Sequence, residues 1–202
     1  MTDNAYLDVW EPLGGMGGSR PEGQKAVLPQ NTGTNPFPTF NKDNLKTVND
    51  AIELAQDLTK SKKCDEALKA HGIPSIAALV NGMTPNSNVF DGRTSTLTGA
   101  IGKNGATESV AAYFKENKGA VGAAVFNNSV TGRGSVTFLG DDFFHPVTIN
   151  WMAQQRAIIM LHEAVHQVGG KGDLTFGSSK QLSGKIIENC YPGLKGKLGG
   201  ME

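Results

Sequence analysis

The strongest alternation of hydrophobic and polar positions lies in the C-terminal half of the chain, between residues 148 and 168. Here Ile158, Leu161, Val165 and Val168 follow a 3-4-3 spacing. Residues at this spacing lie on one face of a helix, so the pattern predicts a helix with a buried apolar stripe.

Other segments complete a pattern of helices around a small sheet. Helical periodicity predicts a long helix in "NKDNLKTVNDAIELAQDLTKS", and shorter helices in "KKCDEALKA", "PSIAALVNG", "ATESVAAYFKENKG" and "SSKQLSGKIIENC". The extended segments "AVGAAVFNN" and "GSVTFLGDDFF" flank the turn-rich "SVTGRG" and predict a β-hairpin. Several helices around a small mixed sheet indicate the α+β class.

The N-terminal part of the chain has a different composition. Residues 1–40 contain "GGMGGSRPEG" and "NTGTNPFPTF", which are rich in Gly, Pro, Ser, Thr and Asn and show no sustained apolar period. We expect a flexible segment there, anchored by aromatics such as Trp10 and Phe37. The folded domain is then expected to span residues 41–202.

The composition limits the kinds of molecule that the protein is expected to bind. Lys+Arg and Asp+Glu are equal at 19 each, so nothing favours nucleic acid or an anionic membrane surface. No apolar run approaches the roughly 18–20 residues of a membrane span. The N-terminal sequence also lacks the basic start and apolar stretch of a signal peptide.

The chain has two cysteines, Cys64 and Cys190. They could form one disulfide, which would favour an oxidising compartment, or remain two buried thiols. The sequence leaves both interpretations open.

The longest apolar helix carries two histidines. His162 and His166 each lie one position after a residue of the apolar stripe, so they stack one turn apart on its flank. Both imidazoles can reach one point, which we expect to have the core on one side and solvent on the other. Glu163 lies about 100° further round the helix, and its longer arm can reach a water at that point.

This arrangement is the HExxH motif, in which two histidines bind zinc and the glutamate acts as general base. The alternative is a pair of surface histidines, or core histidines with satisfied hydrogen bonds. The apolar residues around the pair and the glycines that follow favour the metal site.

The stretch "IIMLHEAVHQVGG" resembles the active-site helix of the zincin metallopeptidases. More loosely, "SVTFLGDDFF" and "GKIIENC" resemble uncharacterised bacterial zincin-like domains, some of which end secreted repeat proteins. The resemblance implies a zincin-like fold, Zn²⁺ as cofactor, a peptide or protein substrate, endopeptidase rather than exopeptidase action, and a secreted or exported protein. It also implies that substrate adds as a strand along a sheet edge, for which "GSVTFLG" is the natural candidate. The alternative is that this segment is a core strand, and the sequence leaves both open.

Zincins need a third protein ligand. In the metzincin pattern a glycine three residues after the second histidine is followed by a ligand three residues later; here Gly169 fits, but Gly172 occupies the ligand position. Asp173 follows directly, and we assign it as the third ligand. The alternative is Glu188, as in the gluzincins, whose third ligand is a glutamate on the following helix. Helix periodicity, however, predicts that Glu188 faces solvent.

The resulting hypothesis is a zinc-dependent metallopeptidase with Glu163 as general base and His162, His166 and Asp173 as metal ligands. Two alternatives remain: a non-catalytic binding module on a zincin scaffold, and an exported toxin domain at the end of a repeat protein.

Overall fold

The structure is a computed structural model. It describes residues 7–9, 35–98, 109–117, 121–125, 135–145, 152–167 and 176–194. Over these residues the chain combines helices with a small mixed sheet, which confirms the predicted α+β class. No helix in these ranges is both long and apolar enough to cross a membrane.

Apart from one short helix, the helices lie where the periodicity predicted them. Their bounds are α1 Lys42–Thr59, α2 Lys62–Lys69, α3 Ile76–Asn81, α4 Val110–Glu116, α5 Asp141–Phe144, α6 Met152–His166 and α7 Ser179–Cys190. Polar side chains fix several of their starts: Asn41, Ser75, Ser109 and Ser178 each accept a hydrogen bond from a backbone N–H of the first turn. The short helix α5 forms where the sequence predicted a continuing extended segment.

The sheet has four strands in the described residues, in the order β1-β3-β4-β2. They are β1 Leu7–Val9, β2 Val89–Asp91, β3 Gly122–Val125 and β4 Val136–Leu139. Strands β3 and β4 pair antiparallel, which confirms the predicted hairpin. Strand β2 is parallel to β4, and β1 is antiparallel to β3.

Strand β4 is therefore internal in the described sheet. The edge position implied for "GSVTFLG" by the resemblance was wrong, and the alternative of a core strand is confirmed. The reason is visible in its side chains, which are buried on both faces. Val136 and Phe138 pack in a cluster with the α4 residues Val110 and Tyr113. Leu139 points into the main helical core instead. A strand covered on both faces and paired on both edges is the centre of a sheet.

The segment 1–40 is described in part. Phe37 packs on the sheet, with its ring centroid 5.1 Å from that of Phe90 and 6.2 Å from that of Phe138, as predicted for an anchoring aromatic. The Ser95 hydroxyl donates to the Pro36 carbonyl at 2.6 Å. Trp10 lies outside the described residues, and the flexibility expected of residues 1–40 stays a prediction.

Helix α6 is the centre of the fold. Helices α1, α3 and α7 pack against it, and strand β3 contacts it as well. Every residue from 157 to 166 is buried, so the helix is covered all round and not on one stripe only. Near its start, the Arg156 guanidinium donates to the carbonyls of Phe143 and Phe144 at 2.8 Å, which ties α5 to α6. Burial lowers the pKa of Arg156 from its ordinary value.

The two cysteines form a disulfide. Cys64 in α2 and Cys190 at the end of α7 have their Cα atoms 4.4 Å apart and are separated by 126 residues in sequence. The bridge decides between the two alternatives left open by the sequence and fastens α7 to the helical layer.

Candidate metal centre

The two histidines of the HExxH motif stack one turn apart on α6, as predicted. The centroids of the His162 and His166 rings are 4.6 Å apart, with the ring planes 74° to each other. Their exposed fractions are only 1% and 0%, so they lie in the interior. The expectation that they lie at the margin of the core was wrong: α7 packs against α6, and its Ser183 contacts His162.

Ser183 of α7 orients the first histidine. The Nδ1 atom of His162 lies 3.0 Å from the Ser183 Oγ, and both side chains are buried. When a neutral imidazole is protonated at Nδ1, its Nε2 atom carries the lone pair that a metal can accept. Sequence reasoning missed Ser183; the available signal was a small polar residue directly after Leu182, four positions before the buried Ile187.

Glu163 points toward the sheet. Its side chain is fully buried and lies against Gly122 of β3 so closely that an added Cβ at position 122 would be 2.6 Å from Oε1 and 2.8 Å from Cδ. Real Cβ atoms do not approach this closely, so glycine is required for the observed position of Glu163. Sequence reasoning also missed Gly122, although a glycine within a strand often marks a close approach by another group.

The C-terminal end of α6 is fixed to the central strand. The Gln167 side-chain amide donates from Nε2 to the Thr137 Oγ1 at 3.0 Å, and the Ser135 hydroxyl donates to the Gln167 carbonyl at 3.4 Å. Because His166 immediately precedes Gln167, these bonds also define where the second histidine lies relative to β4.

The most deeply buried ionisable side chains of the described residues lie together on α6. Among the described residues, the ionisable Asp, Glu, His, Lys and Arg side chains exposed by less than 2% are His162, Glu163 and His166. Burying such groups is costly unless they are hydrogen-bonded, paired or bound to a metal. Three of them within five positions of one helix indicate a functional site.

The third ligand is not settled by the described residues. Asp173 lies outside them, and within them no group of three His, Cys, Asp or Glu side chains is placed to hold a metal ion. Glu188 lies on the exposed side of α7, as predicted. It is rotated about 140° round that helix from Ser183, the residue that contacts His162.

Comparisons with protein-family models, with curated proteins and with solved structures found no match. The resemblance of the HExxH stretch to zincins therefore stays an expectation, and the interpretation of the site depends on its own geometry.

Proposed function

We propose that this protein is a zinc-dependent metallopeptidase with a zincin-like fold, which hydrolyses peptide bonds within proteins. The observation that carries the proposal is the buried turn of α6. It brings two imidazoles together one helical turn apart and directs a carboxylate from the intervening position toward β3. An interior helix has no packing reason to contain three ionisable groups, because apolar residues would fill the same volume at lower cost.

The donor set suits zinc. Imidazole nitrogen is a preferred zinc ligand, and catalytic zinc sites use three protein ligands and leave one position open. His162 and His166 would supply two of the three. The Ser183 contact at His162 is the kind of outer hydrogen bond that fixes a ligating histidine.

Asp173 is the proposed third ligand. It follows the second histidine by seven residues, and Gly169, Gly170 and Gly172 between them allow the chain to turn back. Glu188 is the weaker candidate, since α7 would have to rotate by more than a quarter turn to bring it beside His162. Such a rotation would break the Ser183 contact and strain the disulfide.

When bound, zinc would polarise the scissile carbonyl and lower the pKa of a water molecule. Glu163 would accept the proton of the attacking water and pass it to the leaving amine. Gly122 leaves the space beside the sheet that the Glu163 carboxylate occupies, and the Gln167–Thr137 bond holds the end of the helix in place. The buried surroundings of these residues exclude bulk water and so strengthen electrostatic interactions within the site.

We further propose that the protein is secreted or exported. The Cys64–Cys190 disulfide supports this location, because disulfides persist in oxidising compartments and are rare in the cytosol. An exported toxin domain would share both the disulfide and the zinc chemistry, and would differ in its substrate and delivery. A non-catalytic module is less well supported, since it would have no need to bury Glu163.

The test compares the unmodified protein with Glu163→Gln, using casein as substrate and excess zinc. We expect the unmodified protein to cleave casein and a zinc chelator to stop it. The amide variant should retain zinc but lose about 10²- to 10⁴-fold in rate, the range for loss of a general base. Glu53→Gln, at an exposed glutamate of α1, is the matched control and should cleave normally.

Equal cleavage by Glu163→Gln and the unmodified protein would refute the proposed role of Glu163. Zinc binding without cleavage of casein or of a mixed pool of denatured proteins would favour the non-catalytic module.

A further inference from the structure

We propose that Ser183 is a positioning residue for the metal centre. It fixes the tautomer and the ring orientation of His162, and the Cys64–Cys190 disulfide keeps it in place. The effect on zinc rests on the proposed function, whereas the effect on the tautomer of His162 can be measured without metal.

Ser183 contacts His162 directly, hydroxyl to imidazole. The Ser183 hydroxyl lies 3.0 Å from Nδ1 of His162 and can either accept from or donate to that nitrogen. In the proposed arrangement it accepts the Nδ1–H, which leaves Nε2 on the far side of the ring without a proton. Because Ser183 is fully buried, no exchange with bulk water competes for that bond. A serine also does this without adding a second buried charge beside Glu163, as a carboxylate in its place would.

Ser183 and Cys190 lie on the same face of α7. Cys190 follows Ser183 by seven residues, which brings it back to within about 20° of the same helix face and about 10 Å further along the axis. The disulfide therefore fastens the same face of α7 that presents Ser183 to His162. Restraining this face limits rotation of the helix, and rotation is the movement that would most directly separate Oγ from Nδ1.

The Cys64 end of the disulfide is connected to α6 through α2 and α3. Cys64 lies in α2, whose Asp65 carboxylate accepts a hydrogen bond from Ser75 at 3.0 Å. Ser75 caps α3, and α3 packs against α6, the helix that carries His162. The contacts thus form a closed path from α6 through α3 and α2, across the disulfide to α7, and back to α6 through Ser183.

Reduction of the disulfide should interrupt this closed series of contacts. A dithiol delivers two electrons and two protons to the disulfide: the S–S bond breaks, two protein thiols form, and the dithiol is oxidised to its own disulfide. Helix α7 is then held by side-chain packing and by the Ser183 contact with His162, without the restraint of the disulfide. We expect the zinc affinity of the reduced protein to be lower than that of the oxidised protein.

The tautomer test uses ¹⁵N NMR of the imidazoles in metal-free protein at mildly alkaline pH, where histidine is neutral. The His162 ring should be the Nδ1–H form in the unmodified protein and in Ser183→Thr, which keeps the hydroxyl. It should become a mixture of tautomers in Ser183→Ala. Ser179→Ala, the same change in the first turn of α7, is the control and should leave the signal unchanged.

The zinc test uses the same variants in competition with a chelator of known affinity. Ser183→Ala should weaken zinc binding by about 10- to 100-fold, the range for loss of an outer-shell partner. Ser183→Thr should restore most of the affinity, and Ser179→Ala should bind as the unmodified protein does. Unchanged tautomer and unchanged affinity in Ser183→Ala would overturn the positioning role.

The disulfide is tested by a cycle of variants. The Cys64→Ser, Cys190→Ser double substitution should weaken zinc binding, and it should add little further weakening in a Ser183→Ala background, because residues acting through one contact are not additive. Full additivity would overturn the link between the disulfide and Ser183. If the cysteine variant does not fold, reduction of the folded protein and of Ser183→Ala by dithiothreitol gives the same comparison.

The result that would refute the proposed function differs from the result that would refute the role of Ser183. A protein that binds no zinc in any variant would refute the metallopeptidase proposal, while the NMR signal of His162 would still decide whether Ser183 fixes its tautomer.

Discussion

The Glu163 carboxylate rests directly on the backbone of Gly122, with so little space between them that a Cβ at position 122 would lie 2.6 Å from Oε1 and 2.9 Å from Cγ. The end of the glutamate side chain, and not only its terminal oxygen, occupies the volume that any other residue at position 122 would need. The absence of a side chain at position 122 therefore provides the space that the proposed general base occupies.

Gly122→Ala should displace Glu163 while leaving the fold intact. The new methyl group meets a flexible side chain and not backbone, so the glutamate should move before the strand does. A misplacement of about 1 Å in a catalytic group can cost about 10²-fold in rate. We expect casein cleavage to fall by about that factor, with zinc affinity unchanged, as measured by kcat/KM and by competition with a chelator.

Gly184→Ala is the matched control, because an added Cβ at position 184 of α7 meets nothing within 4 Å. This variant should cleave casein normally. It should also raise the free energy of unfolding by about 0.5–1 kcal/mol, the usual gain when alanine replaces glycine inside a helix. An equal loss of activity in the two variants would contradict the role assigned to Gly122.

The third ligand can be identified by comparing two carboxylate variants. Asp173→Ala should lower zinc affinity by several orders of magnitude, because it removes one of the three protein ligands proposed for the site. Glu188→Ala should bind zinc as tightly as the unmodified protein, since Glu188 lies on the exposed side of α7. The opposite result, in which only Glu188→Ala loses zinc, would transfer the ligand role to Glu188.

The disulfide should contribute strongly to stability apart from any effect on zinc. It closes a chain separation of 126 residues, and cross-links over long loops remove much of the conformational entropy of the unfolded chain. We expect reduction to lower the free energy of unfolding of the metal-free protein by about 2–5 kcal/mol, measured by urea denaturation with and without a reductant. A loss below about 0.5 kcal/mol would show that packing alone holds α7 in place.

Local sequence patterns predicted the elements of this fold well. The helix that carries His162 and the hairpin of β3 and β4 follow from periods of 3.6 and 2 residues, which depend on short-range geometry. The two histidines stack as their four-residue spacing requires. The exposed position of Glu188 followed from its angle on α7 in the same way.

The sequence could not show how these elements pack around one another. The stripe of α6 predicted a helix buried on one side, but the helix layer and the sheet enclose it on all sides. The sequence left open whether the strand containing Phe138 lies at a sheet edge or in the core. Pairing with β2, which lies about 45 residues earlier in the sequence, places it at the centre. Ser183 and Gly122 contact the HExxH residues only through tertiary structure, so no local pattern identified them.

The most direct test of the account is the zinc content of the purified protein, measured by mass spectrometry at neutral pH without a chelator. We predict one zinc ion per chain in the unmodified protein, and loss of that ion in both His162→Ala and His166→Ala. We also predict that the ion is retained in Glu163→Gln, because Glu163 is proposed as the base and not as a ligand. An unmodified protein that binds no zinc would contradict the proposed metal centre.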